Sequence, residues 1–293
     1  MEGRTPEAPL RTLRLDLAFD GTEFLGWQRQ AGGRTVQAEV EAALARVLGA
    51  PHAVVAAGRT DAGAHARRMV ASTRTWSALP APRIARALAG VLPPDIGVHG
   101  VVDAPAGFHA RRDARWKWYR YTVIPGRRAS PLERRYAWVV PARLDAVALA
   151  AGAAALLGRH DFRSFANLGS PRRSTVRTLA AVAWSEEAER LHLDLVGDGF
   201  LYRMARSVAG TLVAIARAGA GAPPEERAAR AAATVGVVLD ARDRRAAGPA
   251  APARGLCLMA VGVAGEVEVP ADLPLFLRRA VESIARGPPG GPP

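Results

Sequence analysis

The chain of 293 residues carries a formal net charge of +13, its cations almost all arginine, with 49% of residues hydrophobic and a single cysteine, Cys257. One cysteine excludes an intramolecular disulfide and a thiolate metal cluster, and no apolar run approaches a membrane span. The cation excess suits a polyanion, because each neutralised phosphate releases counterions, and the lack of an apolar signal core at the N-terminus makes the cytoplasm the expected compartment.

Residues 1–9 are polar and proline-containing, an expected flexible N-terminus. Leu13, Leu15, Leu17 and Phe19 then alternate with Thr12, Arg14, Asp16 and Ala18, which predicts a half-buried strand ending at the turn Asp20-Gly21. Phe24-Leu25-Gly26-Trp27-Gln28-Arg29-Gln30 follows as a loop pinned by Trp27. From there Val36, Val40, Leu44, Val47 and Leu48 recur at helical spacing, with Thr35 suited to cap the start and Gly49 to end it. Ala53 to Ala57 reads as a buried strand, and it opens onto Gly58-Arg59-Thr60-Asp61-Ala62-Gly63-Ala64-His65. The two glycines of this loop permit a sharp turn and close approach of another backbone, and they present Asp61 beside Arg59. By its residues alone the loop can be a plain polar turn. A phosphate-binding loop is rejected, because Ala64-His65 stands where Lys-Ser/Thr is required. Asp61 and His65 could share a metal, but no cysteine cluster or second acid stands nearby, so no metal site is assigned.

Met69 to Trp76 predicts a strand, Arg83 to Leu88 a short helix and Val98 to Val102 another strand. Phe108-His109-Ala110-Arg111 opens the second half and runs into Trp116 to Ile124, a strand of aromatics interleaved with cations. That strand reads either as half-buried with arginine on its wet face, or as a surface that stacks bases and binds phosphate. Leu144 to Leu157 predicts a helix stopped at Gly158, and Ser170 to Arg177 is an arginine-rich turn. Leu179 to Trp184 and Leu191 to Leu195 read as an antiparallel pair of strands. Met204, Val208, Leu212 and Ile215 mark a helix with Arg203 and Arg206 one turn apart. A helix over Pro224 to Val235, a closing strand through Val263, a last helix over Leu275 to Ala285 and a disordered Gly-Pro tail complete the reading. A strand–helix–strand opening without a glycine-rich nucleotide turn is α+β and not doubly wound.

Several of these stretches, in this order, resemble the TruA-type tRNA pseudouridine synthases. GRTDAGAH is similar to that family's GRTDAGVH, FDGTEFLGWQRQ to YDGxxFxGWQRQ, and LPPDI to LPxDI. FHARRDARWKWYRY is similar to FHARxxAxxxxYxY, DFRSF to DFxSF, and AGPAAPARGLCL to AGxTAPAxGLxL. The arginine after the family's Met-Val pair is Arg206, with Ala205 in place of the valine. The resemblance implies an α+β fold with a mixed, mostly antiparallel central sheet flanked by helices, and two related subdomains with a central cleft. Its subdomains would be residues 10–107, carrying the catalytic loop, and 108–265, with a C-terminal helix and tail over 266–293. It implies Asp61 as nucleophile, Tyr119 in the active site, and Arg206 as the partner of the catalytic aspartate. Arg59, Gln28, Arg29, Arg68, Arg111 and Arg203 are the expected substrate contacts, together with Tyr119. It implies no cofactor, tRNA and a second copy of the chain as partners, and uridines at positions 38–40 of the anticodon arm as the substrate. This chain departs from the pattern at Arg68, Met69 and Ala89, where the family has glycine, glutamine and asparagine. The alternatives are a non-catalytic tRNA-binding protein of the same fold and an acid–base nuclease using Asp61 and His65.

Overall fold

The computed structural model describes residues 9–126, 128, 130–167, 174–217, 221–264 and 273–285. Among them it has ten strands and six helices in an α+β arrangement, mixed and mostly antiparallel. The expected loose N-terminus up to residue 8, residues 170–173 of the arginine-rich turn and the tail beyond 285 lie outside the described residues. Among the described residues no helix is long and apolar enough to cross a membrane. The chain divides into two compact units, the first built to Ala114 with Met259–Val263, the second on Arg115–Leu258 with the described residues from Ala264 onward.

The first unit contains β1 (Arg11–Phe19), α1 (Val36–Leu48), β2 (Val55–Ala56), β3 (His65–Thr75), α2 (Ala81–Val91) and β4 (Ile96–Ala104). β1 lies between β3 and β4, antiparallel to both, so that Leu15 faces Ala71 on one side and Val101 on the other. Leu13, Leu15 and Leu17 are fully buried, while the alternating Arg14 and Asp16 are half-buried and pair with each other at 2.9 Å. The helix boundaries follow local chemistry. Thr35 Oγ1 accepts from the Ala38 N–H, and Gly49 closes α1 in the left-handed region at φ +77. Met69, one of the departures, is a fully buried core residue opposite Leu17, whereas Arg68 and Ala89 are exposed.

Expected strands are corrected in extent, β3 and β2 among them. β3 begins at His65, four residues before Met69, because its pairing with β1 continues through an irregularity to Phe19↔Ala66. β2 is only two residues long. The backbone before it is held by side chains in place of a ladder: Thr73 Oγ1 donates to Ala53 O at 2.8 Å, and the Val54 N–H donates to Glu41 Oε1 at 2.9 Å. α2 is longer than expected at both ends and opens after Pro80.

The second unit contains β5 (Ala114–Pro125) from Arg115 onward, β6 (Trp138–Val140), α3 (Ala146–Ala154), β7 (Gly158–Asp161), β8 (Val176–Glu187), β9 (Arg190–Gly197), α4 (Met204–Arg217), α5 (Pro224–Ala241) and α6 (Leu275–Ala285), while β10 (Leu256–Val263) begins in it and from Met259 is counted with the first. β5, β9, β8 and β7 pair antiparallel in that order, and β6 adds parallel to β5. β6 and β7 are additions to the sequence reading. Gly158 opens β7, while α3 has already ended at Ala154.

The aromatic strand is core and not an open surface. Trp116, Trp118, Tyr119 and Tyr121 are all buried. Neither is its arginine simply on a wet face. Arg120 forks onto the fully buried Asp194 of β9 with two bonds of 2.9 Å, and the Trp118 indole N–H donates to the same carboxylate at 2.7 Å. A buried carboxylate accepting three such bonds is satisfied, which is the condition for keeping a charge inside.

Candidate active site

The loop between β2 and β3 is held by the segment that follows β1. The Trp27 N–H donates to Thr60 O at 3.1 Å and the Gly63 N–H to Phe24 O at 3.2 Å. Within the loop, the Ala64 N–H donates to Asp61 O at 3.1 Å. Two glycines make this approach possible. A Cβ on Gly26, itself at φ +92, would stand 2.6 Å from Thr60 O and 3.1 Å from the Asp61 carbonyl carbon. A Cβ on Gly21 would stand 1.9 Å from Ala64 O. Backbone therefore lies directly on backbone behind Asp61. His65, buried at the start of β3, accepts the Gly21 N–H on Nδ1 at 3.1 Å, with Asp20 Oδ1 also 3.1 Å from that nitrogen. It ties β3 to the turn after β1.

Arg34 anchors the other end of the same segment, a role the sequence reading missed. It forks onto Asp95 at 2.5 and 2.9 Å and reaches Glu39 at 2.7 Å, with its guanidinium 4.4 Å from the centre of the Phe24 ring. The bond to Asp95 raises the Arg34 pKa further, with Glu39 adding to it.

The first unit gathers most of the residues named from sequence. Asp61 is half-buried and Arg59 exposed on the same loop. Gln28 Nε2 donates to Gln37 Oε1 at 2.8 Å, and the exposed Arg29 pairs with the buried Glu41. These two side chains are thus engaged within the unit. Arg68 is exposed on β3. Arg111 is exposed beside Ala110, whose N–H donates to Ser72 Oγ of β3 at 3.1 Å.

Tyr119, Arg203 and Arg206 belong to the second unit. Tyr119, on β5, is only 6% exposed, and its ring meets Phe200 edge-on at 4.8 Å. Arg203 sits at φ +61 just before α4 with its guanidinium 5.0 Å from the Tyr202 ring centre, and its buried Nε has no hydrogen-bond partner among the described residues. Arg206 is clamped to Ala251 in both directions: its Nε donates to Ala251 O at 2.7 Å, and the Ala251 N–H donates to Arg206 O at 3.0 Å. The first bond orients the side chain, and the second ties the α4 backbone to the segment that carries Ala251. α4 comes this close because Gly210 has no side chain: a Cβ there would be 1.8 Å from Pro249 O.

Tyr121 supports this segment and was not singled out from sequence. Its hydroxyl donates to Pro252 O at 2.7 Å, and its ring fills the space where a Cβ on Gly255 would sit, 2.7 Å away. Burial pushes the phenol pKa up, only partly offset by the Arg206 and Arg254 charges, so the hydroxyl stays protonated and donating. Tyr121→Phe is expected to leave the Pro252 carbonyl without this donor, at a cost of about 1–2 kcal/mol read as a lower denaturation midpoint. The readable signal was the second tyrosine of the YxY stretch.

A family model described as tRNA pseudouridine synthase matches residues 153–262. Over 248 residues the chain is 46% identical to a tRNA pseudouridine synthase A from Moorella thermoacetica, an alignment spanning 84% of this chain and 97% of that relative. It is 42% identical to proteins of the same name from Syntrophotalea carbinolica, over 87% of this chain and 97% of the relative, and from Geobacter sulfurreducens, over 86% and 99%.

Proposed function

Because the chain belongs to the tRNA pseudouridine synthase A family, and is therefore an isomerase acting on tRNA, we propose that the uridines it converts are those at positions 38–40 of the anticodon stem-loop, with Asp61 as the nucleophile. The observation that supports this reading most is the GRTDAGAH loop, where backbone contacts from Phe24, Gly26 and Trp27 stand behind a half-buried carboxylate.

The reaction breaks the N1–C1′ bond, turns the base and forms a C5–C1′ bond. C5 gives up a proton and N1 takes one, so atoms and electrons balance without oxidant or cofactor. The target base must first leave its stack, at a cost of roughly a few kcal/mol. Asp61 then attacks the sugar C1′ or the base C6, or supports elimination. Arg206 serves as the counter-charge to this carboxylate and orients it through parallel hydrogen bonds. Tyr119 stacks on the base and takes, or relays, the C5 proton. Arg59 grips the RNA backbone at the extruded nucleotide, with Gln28, Arg29, Arg68, Arg111 and Arg203 as further contacts. In this reading the enzyme works as a cytoplasmic homodimer.

The test uses tRNA carrying tritium at C5 of uridine. Stoichiometric release of tritium with the RNA chain intact is expected. Binding without release would mean a non-catalytic tRNA-binding protein, and strand cleavage would mean a nuclease. Mapping of pseudouridines in tRNA from cells lacking the protein is expected to show them missing at positions 38–40.

A further inference from the structure

One side-chain amide joins the Gln28–Arg29 turn to the strand that enters the Asp61 loop. Gln37, in the first turn of α1, accepts at Oε1 from Gln28 Nε2 at 2.8 Å and from the Arg29 backbone N–H at 2.9 Å. Its Nε2 donates to Glu41 Oε1 at 3.0 Å and to Val54 O at 3.1 Å. Two acceptor sites and two donor hydrogens are all a carboxamide has, so its bonding capacity is fully used, half toward each partner segment. The Gln37 backbone adds to this, its N–H donating to Trp27 O at 3.0 Å.

Glu41 decides which way the amide points. It is 9% exposed, and its Oε1 also receives the Val54 N–H at 2.9 Å while Oε2 pairs with the Arg29 guanidinium. An ionised carboxylate only accepts, and so does Val54 O. A flipped amide would set oxygen against oxygen at both. The nitrogen end is thus committed to Glu41 and Val54, and the oxygen end to the Gln28–Arg29 turn.

We propose that Gln37, oriented by Glu41, is a positioning residue that sets the register between the Gln28–Arg29 turn and the Asp61 loop. RNA held by the turn then meets the carboxylate at a fixed distance. This rests on Asp61 being the nucleophile and adds a residue that acts through it.

The variant that tests it is Gln37→Glu. The new carboxylate still accepts from Gln28 and Arg29, but it places an acceptor against Glu41 and Val54 O. The single-turnover rate at saturating enzyme is expected to fall by roughly 10–100-fold, the scale of an ångström misplacement. The Kd for tRNA, measured by filter binding, is expected to stay within about threefold, because affinity is spread over many phosphate contacts. A Gln37→Glu rate within about twofold of wild type, or a loss confined to Kd, would each overturn the proposal. Should Gln37→Glu fail to fold, Gln37→Met, uncharged and of similar volume, is judged by the same split between rate and Kd. Asp61→Asn is run alongside. If it turns over normally, the nucleophile assignment fails whatever Gln37 does. If it is inactive while Gln37→Glu is normal, only the positioning role falls.

Discussion

Asp61→Asn is expected to lower turnover by at least about a thousandfold, the scale on which loss of a nucleophile registers. Asparagine matches aspartate in size, and three bonds that hold the loop run from backbone to backbone: Trp27 to Thr60, Gly63 to Phe24, and Ala64 to the Asp61 carbonyl. The fold of the loop should therefore survive, and tRNA binding with it. Tritium release and filter binding on one preparation check this. Turnover near wild type would remove Asp61 from the chemistry, whereas loss of binding together with turnover would point to a collapsed loop.

The second large effect is expected at Gly26, which carries no side chain to take part in the chemistry. Gly26→Ala places a residue with a Cβ at φ +92, a strain of about 1–3 kcal/mol. It also drives that Cβ to 2.6 Å from Thr60 O, so the peptide before Asp61 must move. A shift of that kind is expected to cost up to about 100-fold in turnover on top of the lost stability. Gly32 supplies the control. Its φ is +91, but a Cβ there meets nothing within 4 Å. Gly32→Ala should share the strain and keep its turnover. Single-turnover rates and denaturation midpoints for both variants separate the two contributions, and equal turnover would show that the Gly26 contact does not hold the loop.

What could be read in advance was whatever chemistry is local. Thr35 and Gly49 bracket α1 because a cap is made by neighbours three or four residues away, and the alternation of Leu13, Leu15 and Leu17 declares a buried face within one strand. Asp61 was named through a resemblance that eight contiguous residues carry. Features that depend on what stands opposite were not. β7, Gly158–Asp161, is polar without alternation and exists through its pairing with β8. The cations of β5 suggested an open surface because Asp194, which receives Arg120, lies 74 residues away. Gly21 and Gly26 look like ordinary turn glycines until Ala64 and Thr60 are seen against them. Gln37 and Glu41 look like the polar side of a helix until Val54 and Arg29 complete their bonds.

The Arg34 clasp on Asp95 and Glu39 has a thermal consequence. Heating makes the hydration of ions less favourable, so the penalty for holding three charges together shrinks while the benefit of apolar contact levels off. An arginine also keeps its charge across the whole range in which a protein stays folded. The fastening at this end of the loop's backing segment is thus one that warming loosens less than it loosens the surrounding packing.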